Sequence, residues 1–261
     1  MHSPFGSDPD AVADAGALRL HDVHKSFGAI EVLENVSLTV EAHEVVCLIG
    51  ASGSGKSTLL KCVNLIEPVD SGRIIVDDID ITAPGVDVNQ VRRRIGIVFQ
   101  AFNLFPHMTV MRNITLAPQE ALGVPKGEAE DGARGLLSRF GLIDKVNEYP
   151  DRLSGGQQQR VAIIRALAMS PRLMLLDEVT SALDPELVSE VLTLIAELKE
   201  RSMTMVIATH EMGFARDIAD RVCFLDEGHI VEDAPPDRIF AAPEHPRTRQ
   251  FLQRIVAARR L

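Results

Sequence analysis

A glycine-rich segment, residues 50–58 (GASGSGKST), follows a short apolar run and precedes a helical pattern. Its spacing, GxxxxGK[ST], is typical of a loop whose backbone N–H groups converge on phosphate oxygens at a helix N-terminus. In this motif the lysine, Lys56, reaches the β- and γ-phosphates of a nucleotide, and the next hydroxyl, Ser57, ligates Mg²⁺. The alternative is a glycine-rich turn without a ligand. The predicted phosphate-binding residues are Gly50, Ala51, Ser52, Gly53, Ser54, Gly55, Lys56, Ser57 and Thr58.

Two adjacent acids, Asp177 and Glu178, end a second apolar run, RLMLLDE. The carboxyl ends of strands in an open α/β sheet face the ligand. There Asp177 is suited to hold Mg²⁺, and Glu178 to act as the general base for a water that attacks the γ-phosphate. Taken alone, such a pair is equally typical of surface charge. Together with the glycine-rich segment, the pair predicts hydrolysis of a nucleoside triphosphate.

A third motif, LSGGQQQR, occupies residues 153–160 and opens a predicted helix. Its serine and glycines form a second helix N-terminus that suits phosphate. With this motif the chain resembles the ATP-binding subunits of ABC transporters over nearly its whole length from residue 18. The resemblance implies a homodimer that holds ATP and Mg²⁺ between two copies, each completing the site of the other. The residues implied in this second contact are Ser154, Gly155, Gly156 and Gln157.

The same resemblance gives roles to residues that have no strong signal of their own. Gln100 corresponds to a glutamine that senses Mg²⁺ and the attacking water, His210 to a histidine at the γ-phosphate, and Phe27 to an aromatic residue that stacks on adenine. Residues 181–184 correspond to a loop that crosses the dimer interface. Judged alone, the glutamine would be a surface residue, the histidine structural and the phenylalanine part of the core, while Asp184 would cap a helix.

Two residues depart from the family pattern. Val179 follows Glu178 where the family generally has proline, so the backbone that directs this carboxylate lacks a fixed φ. This substitution predicts lower activity, although every charged group is present. His43 stands where the family usually has glycine, which implies either a turn without positive φ or a mildly strained histidine. Neither change removes a catalytic group.

The spacing of apolar residues predicts the strands and helices on which these motifs lie. Short runs of Val, Ile and Leu predict buried parallel strands, and alternating segments before and after the glycine-rich loop predict an antiparallel flank. The predicted fold class is α/β: a P-loop NTPase core with a mostly parallel sheet, an antiparallel β flank and a helical insert. The predicted parallel strands are 45–49, 95–99, 173–176, 203–208 and 221–225, and the flanking strands are 18–26, 31–40 and 73–76.

The domain organisation follows from where this pattern starts and breaks. Residues 1–17 have neither the basic region nor the apolar region of a signal peptide, and they are predicted to form a flexible tail. Residues 18–261 are predicted to form the ABC ATPase domain, with a helical insert at about 101–170. A basic amphipathic helix at about 246–261 ends the domain, and its simplest interpretation is a solvated helix face.

The composition excludes several classes of protein. The chain has 37 acidic and 27 basic residues and a net charge of −10, the wrong sign for nucleic acid, which is not expected as a partner. Cys47, Cys62 and Cys223 lack metal-ligand spacing and are interpreted as reduced thiols. No apolar run reaches the roughly 18 residues of a membrane span. Any membrane role must therefore come through a partner, and the resemblance to ABC transporter subunits implies a peripheral protein at the cytoplasmic face of the cell membrane.

Longer strings such as NLFPHMTVMRNITLAP and THEMGFARDIADRV resemble the polar amino-acid uptake branch of the family. This resemblance implies an ATP hydrolase that powers import of a polar amino acid or related solute through a separate membrane permease served by a solute-binding protein. The alternative is the ATPase of an efflux or lipoprotein/peptide-export complex. The permease is expected to dock near residues 100–108, on an apolar seat of Phe102, Leu104, Phe105 and Pro106.

Overall fold

The computed structural model describes residues 17–258. The predicted tail lies outside the described residues apart from Ala17, as do Arg259 and Arg260 of the basic C-terminus. The division of the chain into a tail and an ATPase domain therefore stays a prediction. No helix within 17–258 has the length and apolar character needed to cross a lipid bilayer.

The predicted strands are confirmed to within two residues at each end, and two further short strands, β5 and β10, appear. Strands that are buried on both faces were the easiest to predict because their apolar runs are continuous. In the described chain the strands are β1 (Leu18–Phe27), β2 (Ile30–Val40), β3 (Val45–Ile49), β4 (Ser71–Val76), β5 (Ile79–Asp80), β6 (Ile95–Val98), β7 (Leu173–Asp177), β8 (Thr204–Ala208), β9 (Arg221–Asp226) and β10 (His229–Ala234).

The helices begin where the sequence supplies suitable first residues. Thr109 caps one helix by accepting the N–H of Arg112 at 3.3 Å, and Asp184 occupies a cap position without a side-chain cap bond. Over residues 17–258 the α-helices are α1 (Lys56–Val63), α2 (Val88–Arg92), α3 (Val110–Leu122), α4 (Lys126–Arg139), α5 (Gly155–Leu167), α6 (Pro185–Glu200), α7 (Met212–Ile218), α8 (Pro236–Ala241) and α9 (Pro246–Ala258).

The strands form two sheets. The first is antiparallel, with order β2-β1-β4-β5. The second has order β10-β9-β3-β8-β7-β6, and all its pairings are parallel except that of β10 with β9. This antiparallel edge strand was missed because its residues are only half-buried and lack a continuous apolar run.

The core lies on both faces of the parallel sheet. Alternate residues of β3 enter different hydrophobic clusters because side chains along a strand point to opposite faces. Val45, Cys47 and Ile49 pack with helices α5 to α7, whereas Val46 and Leu48 pack with α1 and the antiparallel sheet. All five residues of β3 are buried. The parallel sheet is therefore rigidly held at the edge from which the motif loops emerge.

The cysteines belong to this core. Cys47, Cys62 and Cys223 are free thiols, and all three are buried. Burial raises the pKa of the Cys47 and Cys62 thiols to about 12. These side chains therefore remain neutral and pack as small apolar groups.

Between β6 and β7 the chain forms helices α3, α4 and α5, which pack on one another. The buried Asn113 of α3 organises the loop before this group of helices. Its amide donates to the carbonyls of Phe105 and Met108, each at 3.1 Å, and its carbonyl accepts the N–H of Phe105 at 2.8 Å. This side chain fixes the exposed Phe105 segment on the surface.

His43 adopts a positive φ of 68°, the strained alternative of the two predicted. Its backbone N–H donates to Thr204 Oγ1 at 2.8 Å, and its ring nitrogen Nδ1 contacts the Ser202 carbonyl. A histidine in this region of backbone space costs about 1 kcal/mol. The two contacts to the segment that enters β8 offset that cost.

Candidate active site

Three parallel strands end where the predicted phosphate-binding loop, the two acids and the histidine lie. The carboxyl end of β3 leads into residues 50–58, β7 ends at Asp177, and β8 leads to His210. Register aligns these ends, because Ala208 of β8 pairs with Leu48 on one side and Asp177 on the other. Carboxyl ends of parallel strands are where α/β sheets bind ligands.

The glycine-rich loop is shaped by backbone approaches that no side chain would allow. A Cβ atom on Gly50 would lie 2.1 Å from the Leu225 carbonyl oxygen of β9. Gly55 has φ 106° at the N-cap of α1, and a Cβ atom there would lie 2.8 Å from the Val32 carbonyl of β2. The loop is thus packed between both sheets, directly before a helix N-terminus that favours anions.

Lys56 is almost fully buried, with its side chain 3% exposed. Its Nζ donates to the carbonyls of Gly50 at 3.1 Å and Ala51 at 3.0 Å, and lies 3.6 Å from Glu178 Oε1. Burial lowers the pKa of this ammonium, while the carboxylates of Glu178 and Asp177 act in the opposite direction. The loop therefore holds a buried cation folded back on its own backbone.

Ser57 and Asp177 form the second contact of the site. The Ser57 hydroxyl donates to Asp177 Oδ1 at 2.7 Å, which brings together two oxygen groups that are 120 residues apart in the sequence. Burial raises the pKa of Asp177, and the hydrogen bond from Ser57 partly counteracts this. Hard oxygen donors of this kind fit Mg²⁺, which is commonly held by one or two protein oxygens together with substrate phosphates.

Glu178 and His210 form the third contact, with His210 Nε2 2.7 Å from Glu178 Oε1. Glu178 has φ 48°, and its N–H donates to the Ala208 carbonyl at 2.9 Å, which ties this strained residue to β8. Val179 is buried at 3% exposure and packs in the hydrophobic core. The valine therefore anchors the backbone next to Glu178 by packing, where proline would do so by a fixed φ.

Gln100 and Phe27 take no part in the three contacts described above. Gln100 is exposed, two residues beyond the end of β6, the strand that pairs with β7. Phe27 ends β1 with 45% of its surface exposed, and Lys25 Nζ lies 4.9 Å from its ring centroid. Phe27 is thus not a core residue. Within residues 17–258 no hydrogen bond joins Gln100 to Asp177 or Glu178.

The LSGGQQQR motif begins α5 as predicted, but away from the loop of its own chain. Ser154 Oγ accepts the Gln157 N–H at 3.3 Å, and Gln157 Oε1 accepts the Ser154 N–H at 3.0 Å, a reciprocal capping box. Gly156 packs against Leu187 of α6. Among the described residues no hydrogen bond or ion pair links this exposed helix start to Lys56 or Glu178.

The residues that join α5 to the segment after β6 had no role in the sequence-based prediction. Gln159 is fully buried, and its Nε2 donates to the Phe99 carbonyl at 3.3 Å. Arg165 donates to the Asn103 carbonyl at 2.7 Å. The spacing of Gln159 could have indicated its burial, because it lies on the same face of the helix as the buried Gly156 and Ile163.

This fold and site define an ATP-binding cassette. A family model described as "ABC transporter" matches residues 33–181, more than half of the chain, and the chain belongs to that family. A dimeric, post-hydrolysis structure of the ATP-binding cassette MJ0796 bound to ADP and Pi superposes with a TM-score of 0.74 at 33% identity, covering 84% of this chain and 98% of that one. CbiO1 from Clostridium perfringens gives a TM-score of 0.79 at 30% identity, covering 95% and 100%.

The particular branch is given by curated relatives. The glutamine transport ATP-binding protein GlnQ of Geobacillus stearothermophilus is 53% identical over 90% of this chain and 98% of its own length. The arginine transport ATP-binding protein ArtM of Bacillus subtilis is 53% identical over 92% and 100%. This chain is the ATP-binding and ATP-hydrolysing subunit of an ABC transporter in the polar amino-acid uptake family, as predicted. An efflux or lipoprotein/peptide-export complex is not favoured.

Proposed function

We propose that this subunit hydrolyses MgATP between two copies of itself to power import of a polar amino acid through a membrane permease. The observation that carries the proposal is the convergence of Lys56, the Ser57–Asp177 pair and the Glu178–His210 pair at one sheet edge. The relatives' names, which refer to glutamine and arginine transport, support a polar amino acid as the solute.

The glycine-rich loop would bind the phosphates. Its N–H groups at the start of α1 supply hydrogen-bond donors, and Lys56 supplies charge. In the structure the lysine donates to two loop carbonyls, and the oxygens of the β- and γ-phosphates would take their place. Phe27, exposed on β1, would stack on adenine.

Ser57 and Asp177, with Gln100 from the end of β6, would hold Mg²⁺. When bound, the ion neutralises charge on the β- and γ-phosphate oxygens. The 2.7 Å contact between Ser57 and Asp177 already places two of these oxygen groups together. Asp177 would hold the ion in its ionised form, although burial raises its pKa.

Glu178 would act as the general base toward the attacking water, and His210 would contact the γ-phosphate. The 2.7 Å contact with His210 and the 3.6 Å approach of Lys56 fix one oxygen of this carboxylate. Its backbone N–H, which donates to the Ala208 carbonyl, holds the residue beside the end of β8. A fixed carboxylate lowers the cost of orienting the water.

A second copy of the chain would complete each site. The start of α5, with Ser154 exposed and no hydrogen bond or ion pair to the described loop residues of its own chain, is free to face the partner's nucleotide. The MJ0796 cassette, which is similar to this chain, is dimeric in its ADP and Pi complex. Because one chain carries both halves of the site, a homodimer suffices.

The permease would dock beside the β6–α3 connection, which places the subunit at the cytoplasmic face of the cell membrane. A cavity of about 430 Å³ opens there, with Phe105, Leu116 and Met169 among its lining residues. Phe105 is 41% exposed, consistent with an apolar seat, whereas Leu104 packs against the core. A solute-binding protein would deliver the amino acid to the permease from the other side.

The test is ATP hydrolysis by the purified chain beside Glu178→Gln, with size exclusion of both in MgATP. We expect hydrolysis to fall by about 10²–10⁴-fold in the variant, since a general base contributes that much. The variant should elute as an ATP-dependent dimer. Hydrolysis that survives in Glu178→Gln would refute the role of this glutamate, and a variant that stays monomeric in MgATP would refute the shared site.

A further inference from the structure

Arg247, near the start of the basic helix α9, contacts the turn between β9 and β10. Arg247 Nε donates to Asp226 Oδ2 at 2.5 Å, and Nη2 donates to Glu227 Oε1 at 2.7 Å. One guanidinium thus binds two neighbouring carboxylates, which are 15% and 80% exposed. The planar fork of arginine suits such a double contact better than lysine does.

The start of α9 is held firmly in place. Glu232 of β10 accepts the backbone N–H groups of Glu244 at 2.7 Å and His245 at 3.1 Å. Phe251 packs on Phe224 of β9, with ring centroids 5.1 Å apart. The helix therefore presents Arg247 from a fixed base and does not merely lie as a solvated face.

The hairpin that Arg247 binds has an unusual turn residue. Its two central residues, Glu227 and Gly228, have φ 48° and 82°. A two-residue turn with both φ values positive favours Asn or Asp before Gly, because other side chains are strained there. Pairing the Glu227 carboxylate with Arg247 offsets this strain and fixes the turn.

This turn touches the phosphate-binding loop. The N–H of Gly228 donates to the Ser54 carbonyl at 3.3 Å, and the Gly228 carbonyl accepts the N–H of Glu34 at 3.0 Å. Leu225, at the end of β9, forms the wall against which Gly50 packs. A displacement of the turn would therefore move one side of the loop.

We propose that Arg247 is a positioning residue for the phosphate-binding loop. By binding both carboxylates of the β9–β10 turn, it holds the turn against Ser54 and neutralises two negative charges beside a loop that takes an anionic ligand. The affinity for nucleotide then depends on a helix that lies outside the nucleotide-binding motifs. The inference rests on the proposed role of residues 50–58.

The test compares Arg247→Ala and Arg247→Lys with Arg254→Ala, a matched loss of charge on the same helix, since Arg254 makes no ion pair with the described residues. Binding of a fluorescent ATP analogue, mant-ATP, and KM and kcat for ATP are measured. For two partly exposed charged contacts we expect Arg247→Ala to weaken binding and raise KM about fivefold, with kcat within about twofold. Lysine should recover part of the affinity, and Arg254→Ala should match the wild type.

A double-variant cycle tests whether Arg247 acts on the loop through the Asp226 contact. Adding Asp226→Asn to Arg247→Ala should weaken mant-ATP binding no further, because both changes break one contact. If Arg247→Ala is too unstable to study, Asp226→Asn and Glu227→Gln test the same contact from the turn. Unchanged mant-ATP affinity in these variants, even with a lower melting temperature, would overturn the proposal.

Failure of the underlying loop assignment would look different. Lys56→Ala should abolish mant-ATP binding whatever happens at Arg247. If Lys56→Ala binds like the wild type, the assignment of residues 50–58 is wrong. If it fails to bind while Arg247→Ala binds normally, only the positioning role is wrong.

Discussion

Replacing Gly50 by alanine tests the close approach that shapes the phosphate-binding loop. The added Cβ would lie 2.1 Å from the Leu225 carbonyl oxygen and 2.8 Å from Ser54 Oγ, whereas ordinary contact requires at least 3.4 Å. The loop and the end of β9 must therefore separate by about 1.3 Å, the difference between 3.4 and 2.1 Å. The Leu225 oxygen belongs to the backbone of β9, so this shorter clash cannot be relieved by a side-chain rotation, whereas Ser54 Oγ can rotate away.

The expected cost is about 3 kcal/mol, the upper part of the range for overpacking. For a domain of this size each kcal/mol lowers the melting temperature by about 2–4 °C, so the midpoint should fall by about 6–12 °C. A displacement of this size beside the reacting phosphate should also lower ATP hydrolysis about 100-fold. Differential scanning calorimetry and a phosphate-release assay measure the two effects.

The matched control is Gly53→Ala in the same loop. Gly53 has φ 79°, and an added Cβ would meet nothing within 4 Å. Only backbone strain of about 1 kcal/mol applies there, so the midpoint should fall by about 2–4 °C. Equal melting temperatures for the two variants would contradict this prediction, because they would show that β9 does not constrain Gly50.

Three further predictions follow from other contacts. His210→Ala should lower ATP hydrolysis at least about 100-fold, while mant-ATP binding is retained because Lys56 and the loop remain. If the variant loses both hydrolysis and mant-ATP binding, the histidine acts in nucleotide binding instead. Ser154→Ala should lower stability by about 1 kcal/mol through loss of the cap and should weaken the ATP-dependent dimer on size exclusion, and an unaltered dimer would contradict the shared site. The hydrogen bond from the Thr82 hydroxyl lowers the pKa of Asp80 from 3.8, with burial acting against this shift and Arg73 acting with it. The ionised Asp80 therefore stabilises the folded state at neutral pH, and this stabilisation is lost as the pH falls below about 4. The melting temperatures of the wild type and Thr82→Val should differ at pH 7 and converge in acid.

Much of the fold and site was predictable from local pattern. The runs that became β3, β7 and β8 are apolar at every position because both faces of these strands are covered, and such runs stand out in a sequence. The GxxxxGK[ST] and LSGGQ motifs identified two helix N-termini, which the structure places at Lys56 and Gly155. Strand β10 and the buried Gln159 were harder, because half-buried strands and buried polar side chains depend on what packs against them.

The residue types and their spacing are enough to predict the chemistry: which residues carry the charge, which loop has glycine spacing, and that these follow strands whose carboxyl ends share one edge. The distances are known only from the folded chain, such as the 2.7 Å contacts of Ser57 with Asp177 and of Glu178 with His210. The folded chain alone showed that Leu225 forces glycine at position 50 and that Arg247 reaches the turn beside Ser54. The physical reason is that motif and periodicity are local properties of the chain, whereas these contacts join residues that the parallel sheet brings together from far apart in the sequence.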